Sequence, residues 1–384
     1  MSDTLLTRRS FVQLMALAGA GAAAGSLAGC AAGTQQGAGA DASNSAHGKT
    51  AASDTAADTA AFAAIPAGAV CVAEYAGNTL AVIDPATWQV VDRIAAGQNP
   101  ATVALAAGNV YVGSSGGGEV AVVPVADPAR AQRIPVGTQP LGLCYDEPRG
   151  ILYVGDYFNN SVHEVDVQLN SLVGTIRLDV CGYHKRTDPP DCCRIGPGAG
   201  RRTVAMALAP GGETLYCANY GTYDVARLNL EKGEEIEAFD GVVGPRQMIV
   251  SHDGRSLYLA GVGGEGEQQV SHLYVVNRET GKREQEVYVG QSVAGVAQTP
   301  DGSCVLALAR DEGMLVAFDN AWKETARTAV GEGADTLFLD AAGTTAYVAN
   351  SATGVLTVMA VPSLEVQAQV DGLASPKGMA VVEG

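Results

Sequence analysis

One supersecondary unit recurs along this chain, and its spacing leaves few folds available. Three copies align directly: Gly150-Ile151-Leu152-Tyr153-Val154-Gly155-Asp156-Tyr157, Glu213-Thr214-Leu215-Tyr216-Cys217-Ala218-Asn219-Tyr220 and Thr344-Thr345-Ala346-Tyr347-Val348-Ala349-Asn350. Each follows a short apolar segment that ends in a turn, such as Ala209-Pro210-Gly211-Gly212 or Thr299-Pro300-Asp301-Gly302. Each precedes a further strand of the type Leu80-Ala81-Val82-Ile83-Asp84 or Leu273-Tyr274-Val275-Val276-Asn277. The units close on a Val/Gly or Ala/Gly element, and the clean neighbours Gly97, Gly137, then Gly244, Gly290, Gly331 and Gly372 stand 40, 46, 41 and 41 residues apart. Two more units and an insertion fill the interval from 137 to 244.

A period near 40 residues with four short strands per unit is the arithmetic of a propeller blade. Apolar alternation bounded by Gly, Pro, Asn and Asp predicts strands, and helical periodicity is absent. The ends of the chain decide against an open solenoid. The first unit, residues 66–97, lacks the leading strand that the others carry. Pro376-Lys377-Gly378-Met379-Ala380-Val381-Val382 at the other end matches Pro140-Leu141-Gly142-Leu143 and supplies it. A closed ring leaves no strand edge open to aggregation. The expectation is an all-β, seven-bladed β-propeller over residues 65–384, its C-terminal strand closing the first blade.

The strand ends Tyr347-Val348-Ala349-Asn350 and Tyr216-Cys217-Ala218-Asn219 resemble those of the YVTN-type seven-bladed propeller family. That resemblance implies the fold over residues 66–384 but no single activity, because the family and its neighbours include binding proteins, surface-layer proteins, lactonases and haem-d1-associated proteins.

The N-terminal segment carries a different message. Thr7-Arg8-Arg9-Ser10-Phe11-Val12-Gln13 precedes an uncharged, Ala- and Gly-rich run from Leu14 to Ala28, too short and weakly apolar for a membrane span. This layout resembles a twin-arginine export signal, and Leu27-Ala28-Gly29-Cys30 resembles a bacterial lipobox. The resemblance implies that residues 1–29 are removed and that Cys30 carries a lipid at the outer face of the cytoplasmic membrane or the periplasmic side of an envelope membrane. Residues 30–64 are then the lipidated Cys30 and a disordered linker, since Ala, Gly, Ser, Thr, Asp and Gln cannot bury enough apolar surface to offset their ordering entropy.

Lys and Arg number 24 against 41 Asp and Glu, a formal charge of −17 that repels a phosphate backbone and argues against a nucleic-acid partner. Against that background, four cations fall in the predicted inter-blade connections: Arg201, Arg202, Arg246 and Lys377. With Gln98, Gln139 and Gln291 they are expected to ring one mouth of the central channel. Guanidinium forks suit carboxylate or phosphate, so a small anionic ligand or an acidic envelope partner is the matching class. The bland alternative is pairing with acidic neighbours such as Asp335.

The insertion between blades three and four, 181–194, holds Cys181, His184, Cys192 and Cys193. In an exported chain the default is a disulfide, with Cys217 on the next blade as a further candidate partner. A metal site from Cys181, His184, Cys192 and Cys193 is the sharper alternative, although no C-x-x-C spacing supports it. Cys71, Cys144 and Cys304 replace apolar strand residues and read as small core side chains. No Ser, His and Asp arrangement in sequence announces a catalytic residue, and the residues name no cofactor. The leading expectation is a monomeric, membrane-anchored lipoprotein whose propeller binds an envelope protein or small anion. The alternative is a lactonase-like hydrolase or a haem- or metal-associated accessory using the same rim, with His184 and Arg246 as participants.

Overall fold

A computed structural model of the protein describes residues 64–179, 200–240, 243–262 and 270–383. Every strand among them belongs to one of seven four-stranded antiparallel sheets, and the only helical piece is a single turn at Pro128–Arg130. These sheets are the blades of a seven-bladed β-propeller. Blades 2 to 7 are each continuous in sequence, with innermost strands Pro100–Ala106, Pro140–Asp146, Thr203–Leu208, Pro245–Val250, Val293–Gln298 and Ala334–Leu339. Blade 1 is made from both ends of the propeller. Its innermost strand, Pro376–Val381, pairs antiparallel with Val70–Glu74 through Val70–Val381, Cys71–Ala380 and Val72–Met379. That strand also packs against the innermost strands of blades 2 and 7, so the ring closes as the repeat predicts.

Burial explains why the second strand of each blade is the most apolar. Val70–Glu74, Thr214–Asn219 and Val305–Ala309 are buried at every position, because both faces of the sheet meet a neighbouring blade. Outermost strands such as Val366–Val370 are mostly exposed. No cluster is confined to one blade. Leu306, Leu308 and Leu315 of blade 6 pack with Leu337, Val348 and Met359 of blade 7. Tyr347, Leu356 and Val358 of blade 7 pack with Val70, Ile83 and Met379 of blade 1. Cys71, Leu80 and Val82 of blade 1 continue onto Val110, Val112 and Val123 of blade 2.

The final residue of the second strand explains the strand-end motif. Glu74, Ser114, Asp156, Asn219 and Asn350 stand there, all buried, and a buried polar group must find partners. Asn219 bonds Thr203 and Asp224 within its own blade, whereas the other four reach the connection arriving from the previous blade. Ala374 N donates to Glu74 Oε1 at 3.0 Å, Thr138 N to Asp156 Oδ2 at 2.8 Å, and Asn350 Nδ2 to the Glu332 carbonyl at 2.9 Å. Burial pushes the Asp156 carboxyl up, but His163, Thr138 and the Phe158 amide outweigh it and hold the group well below the ordinary carboxylate range. The side chain is therefore a fixed anion tying blade 3 to its incoming loop.

Residues 64–69 enter at the opposite end of the strands: Ile65 N donates to the Val125 carbonyl and Gly68 N to that of Val382. The first described residues thus lie on the face away from the inter-blade connections.

Because Pro376–Val381 serves two blade interfaces at once, removing it exposes both. A chain stopped at Leu373 is expected to lose cooperative thermal unfolding by circular dichroism. Met379→Ala, at a position 3 % exposed, is expected to lower stability by about 2–5 kcal/mol in urea denaturation.

Candidate functional site

Two backbone devices recur where the chain crosses between blades. The residue before the innermost strand adopts a left-handed conformation at Asn99, Arg202, Gly244, Ser292, Gly333 and Ser375. A bulge follows at once: pairing shifts between Pro100 and Thr102, Pro140 and Gly142, Thr203 and Ala205, Pro245 and Gln247, Val293 and Gly295, and Ala334 and Thr336. In blade 1 the shift falls between Pro376 and Met379. An extra residue re-aims the side chain it carries. The extra residues are Ala101, Leu141, Val204, Arg246, Ala294, Asp335 and, in blade 1, the Lys377–Gly378 pair. Blades 5, 7 and 1 thus carry charge at one geometric position.

The loops between second and third strands complete this mouth. Their first residues hydrogen-bond back to the crossing segment: Tyr157 N to the Gln139 carbonyl at 3.0 Å, Tyr220 N to that of Arg202 at 2.9 Å, and Arg310 N to that of Ser292 at 3.0 Å. The Arg202 guanidinium lies over the Tyr157 ring, 5.6 Å from its centroid, and Arg246 over Tyr220 at 5.9 Å. Tyr157 meets Phe158 edge to face at 4.9 Å, and Tyr220 meets Tyr223 at 6.1 Å. Phe158 and Tyr223 are exposed aromatic residues on this rim. Burial pushes both the Tyr157 and Tyr220 phenols up, opposed by Arg202 and Arg246. Burial pushes the Arg246 guanidinium down, and the like charge of Arg310 adds to that. Arginine–tyrosine pairs on blades 3 to 5 therefore form a cationic, aromatic arc, continued on blade 6 by Arg310, which pairs with Asp311 at 3.2 Å.

Across the mouth, three residues meet where blade 7 joins blade 1. Lys377 Nζ lies 2.6 Å from Asp335 Oδ2 and 3.1 Å from Ser351 Oγ, and Ser351 Oγ donates to Asp335 Oδ2 at 2.8 Å. Asp335 Oδ1 is buried and accepts no hydrogen bond among the described residues. Below the mouth, Gln247 spans three blades: its Oε1 accepts from Val296 N at 3.0 Å and its Nε2 donates to the Leu337 carbonyl at 3.4 Å.

The sequence-predicted residues fare unequally. Arg202, Arg246 and Lys377 lie on the mouth. Gln98 and Gln291 are exposed on the connections into blades 2 and 6, and Gln139 is half-buried on that into blade 3. Arg201 is a correction. It is fully buried, with Nη1 on Asp224 Oδ1 and Oδ2 at 2.9 and 2.8 Å, Nη2 on Glu235 Oε1, and Nε on the Asp179 carbonyl at 2.5 Å. Burial pushes the Glu235 carboxyl up while Arg201 pulls it back. This residue joins blades 3 and 4 and is no ligand group.

Cys217 as a further disulfide partner is a correction: its thiol is free and buried. Cys71, Cys144 and Cys304 are free as well, and burial pushes the first two thiols up to about 12. The other candidates Cys30, Cys181, His184, Cys192 and Cys193 lie outside the described residues. Sequence reading missed Tyr157, Tyr220, Arg310 and Ser351, although the signal was present: each directly follows the end of a second strand.

No family model and no curated protein sequence matches the chain. Solved structures do resemble it. Hydrazine synthase of Kuenenia stuttgartiensis shares 17 % identity with a TM-score of 0.62, over 77 % of this chain and 93 % of that one. The periplasmic gluconolactonase of Pseudomonas aeruginosa shares 17 % identity with a TM-score of 0.61, over 82 % and 98 % of the two chains. The dihydro-heme d1 dehydrogenase NirN shares 14 % with a TM-score of 0.56, over 84 % and 77 %. At such identities the likeness shows the fold, a seven-bladed propeller with lactonase-like structural neighbours.

Replacing Arg201 with Ala would leave Asp224 and Glu235 buried without their countercharge. The expected loss is about 3–5 kcal/mol in chemical denaturation.

Proposed function

We propose that this protein is a propeller hydrolase that opens small lactones bearing an anionic substituent at the basic mouth of its channel. The observation that carries this reading is the convergence of Arg202, Arg246 and Arg310, layered with Tyr157 and Tyr220, on the rim that also holds Asp335. Guanidinium forks grip a carboxylate or phosphate, and the tyrosine faces pack a compact ring. Asp335 receives the proton of the attacking oxygen and returns it to the ring oxygen as the ester bond breaks. Lactone and water thus become a hydroxy acid with the aspartate regenerated. Negative charge building on the carbonyl oxygen is met by the neighbouring cations, whose effect grows in a recess shielded from water. The similarity to a gluconolactonase supports this reading, and sugar-acid lactones are the first substrates to try.

A second reading, anion binding without turnover, draws on one specific contact: Lys377 pairs with Asp335 Oδ2 at 2.6 Å, an ion pair that serves equally well as a structural tie between blades 7 and 1. A pH-indicator assay on sugar-acid lactones, with and without a phosphate, separates the two. In the hydrolase, Arg246→Ala is expected to raise KM at least tenfold, and Asp335→Asn to lower kcat by roughly 10²-fold or more. A folded wild-type protein that leaves all these lactones at their buffer rate sinks the hydrolase reading. Calorimetric binding of the corresponding acids in that same preparation would establish the binding module.

We further propose that residues 1–29 act as an export signal and that Cys30 bears the lipid. Cys30→Ala is expected to move the protein from the membrane fraction to the soluble one, and to abolish incorporation of labelled palmitate. Unchanged fractionation would refute the anchor.

A further inference from the structure

The Ser351, Asp335 and Lys377 cluster has a geometry that a simple ion pair between blades does not require. Ser351 is the first residue after the second strand of blade 7, the same ring position as Tyr157, Tyr220 and Arg310, so it stands at the mouth. That hydroxyl donates to a carboxylate oxygen at 2.8 Å and accepts from an ammonium at 3.1 Å. The ammonium in turn fixes the carboxylate at 2.6 Å. A nucleophile in reach of a base, with the base oriented by a third group, is the arrangement that activates a weak hydroxyl. The chain supplies its own contrast. Ser115 holds the equivalent position in blade 2, and its hydroxyl donates to the Asn99 carbonyl at 2.9 Å, which can accept no proton. Ser292, on another crossing, also bonds a carboxylate, Asp311, whose second oxygen Arg310 holds at 3.2 Å, so what sets Ser351 apart is the ammonium placed on its own oxygen.

We propose that Ser351 is the nucleophile of the mouth and that lactone opening passes through an ester on its oxygen. This rests on the reading of the mouth as a lactone-opening site. Ser351 Oγ bonds to the lactone carbonyl carbon as its proton passes to Asp335. Lys377 Nζ, already on Oγ, stabilises the negative charge that then forms. The carbon–oxygen bond of the ring breaks, and the leaving oxygen takes the proton from Asp335. The ring-opened acyl group remains on Ser351. Water then attacks this ester, giving one proton to Asp335, and Ser351 leaves with that proton restored. The sum is one lactone and one water converted to one hydroxy acid, with no other reactant.

The test is intact mass spectrometry of the mature protein after exposure to a fluorophosphonate, which forms a stable phosphorus–oxygen bond on an activated serine and releases fluoride. One adduct is expected, on the peptide bearing Ser351 and not on that bearing Ser115. It should disappear in Ser351→Ala and form at least tenfold more slowly in Asp335→Asn and Lys377→Met, with circular dichroism confirming that each variant is folded. A wild-type protein that takes no adduct while a control serine hydrolase is fully labelled overturns the proposal, as does an adduct on another residue. Lactone turnover is read separately. A Ser351→Ala protein that opens lactones at the wild-type rate shows direct attack by water, so only the nucleophile assignment fails. Absence of turnover in the wild-type protein defeats the lactone reading itself, and with it the ester intermediate as drawn.

Discussion

Apolar packing in this protein lies between blades, and that constraint organises everything else. Each cluster joins residues of two neighbouring sheets, from blades 1 and 2 round to blades 7 and 1. A single four-stranded sheet with two apolar faces is unstable by itself, so every blade needs both neighbours and the ring must close. Closure explains why the C-terminal strand is as buried as strands in the middle of the chain. It also explains why the mouth is chemically free. Residues on blade faces are committed to packing, whereas the crossing segments and second-to-third-strand loops are held by backbone hydrogen bonds. Apart from inward-turned residues such as Arg201, their side chains can vary with little cost to the core.

The regularity of those crossings made the fold legible. A propeller repeats its turn signals with its strands, so Gly97, Gly137, Gly244, Gly290, Gly331 and Gly372 mark the period even where the strands diverge. The match between Pro376–Val381 and the leading strands of other blades disclosed the closure. The site was only half legible. Tyr157, Tyr220, Arg310 and Ser351 share one register position, but two tyrosines, an arginine and a serine at it do not announce a common surface until the loops are placed. Asp335 and Lys377 are 42 residues apart in sequence and adjacent in space because one closes blade 7's entrance and the other blade 1's.

Arg201 and Arg202 show where sequence reading stops. Two adjacent arginines in a crossing segment look equivalent, yet the backbone separates them. Arg202 holds φ at +58°, a conformation uncommon outside Gly and Asn, and the chain reverses its side there. Arg202 therefore lies over Tyr157 on the mouth, while Arg201 turns inward to Asp224 and Glu235. Those carboxylates belong to the third and outermost strands of blade 4, at positions where other blades carry no matching pair. A repeat comparison suppresses such single-blade features, so a buried ion pair built on them was invisible to it.

Strong net acidity and a basic mouth are compatible for a related reason. Much of the acidic excess lies on outer strands and the opposite turns, for example Glu231 and Glu234 on blade 4, Glu284 and Glu286 on blade 5, and Glu324 on blade 6. Many of these carboxylates are exposed and screened by salt within about 8–10 Å at physiological strength. Arg202 and Arg246 instead rest on the largely buried Tyr157 and Tyr220 rings, where their field is less screened than that of exposed carboxylates. An anion approaching the channel therefore meets the local cations and not the average charge. The Tyr–Arg layers hold those cations in place, since each guanidinium rests on a ring anchored by its backbone to the crossing segment. The same crossings that close the propeller thus set the geometry of its only cationic arc among the described residues.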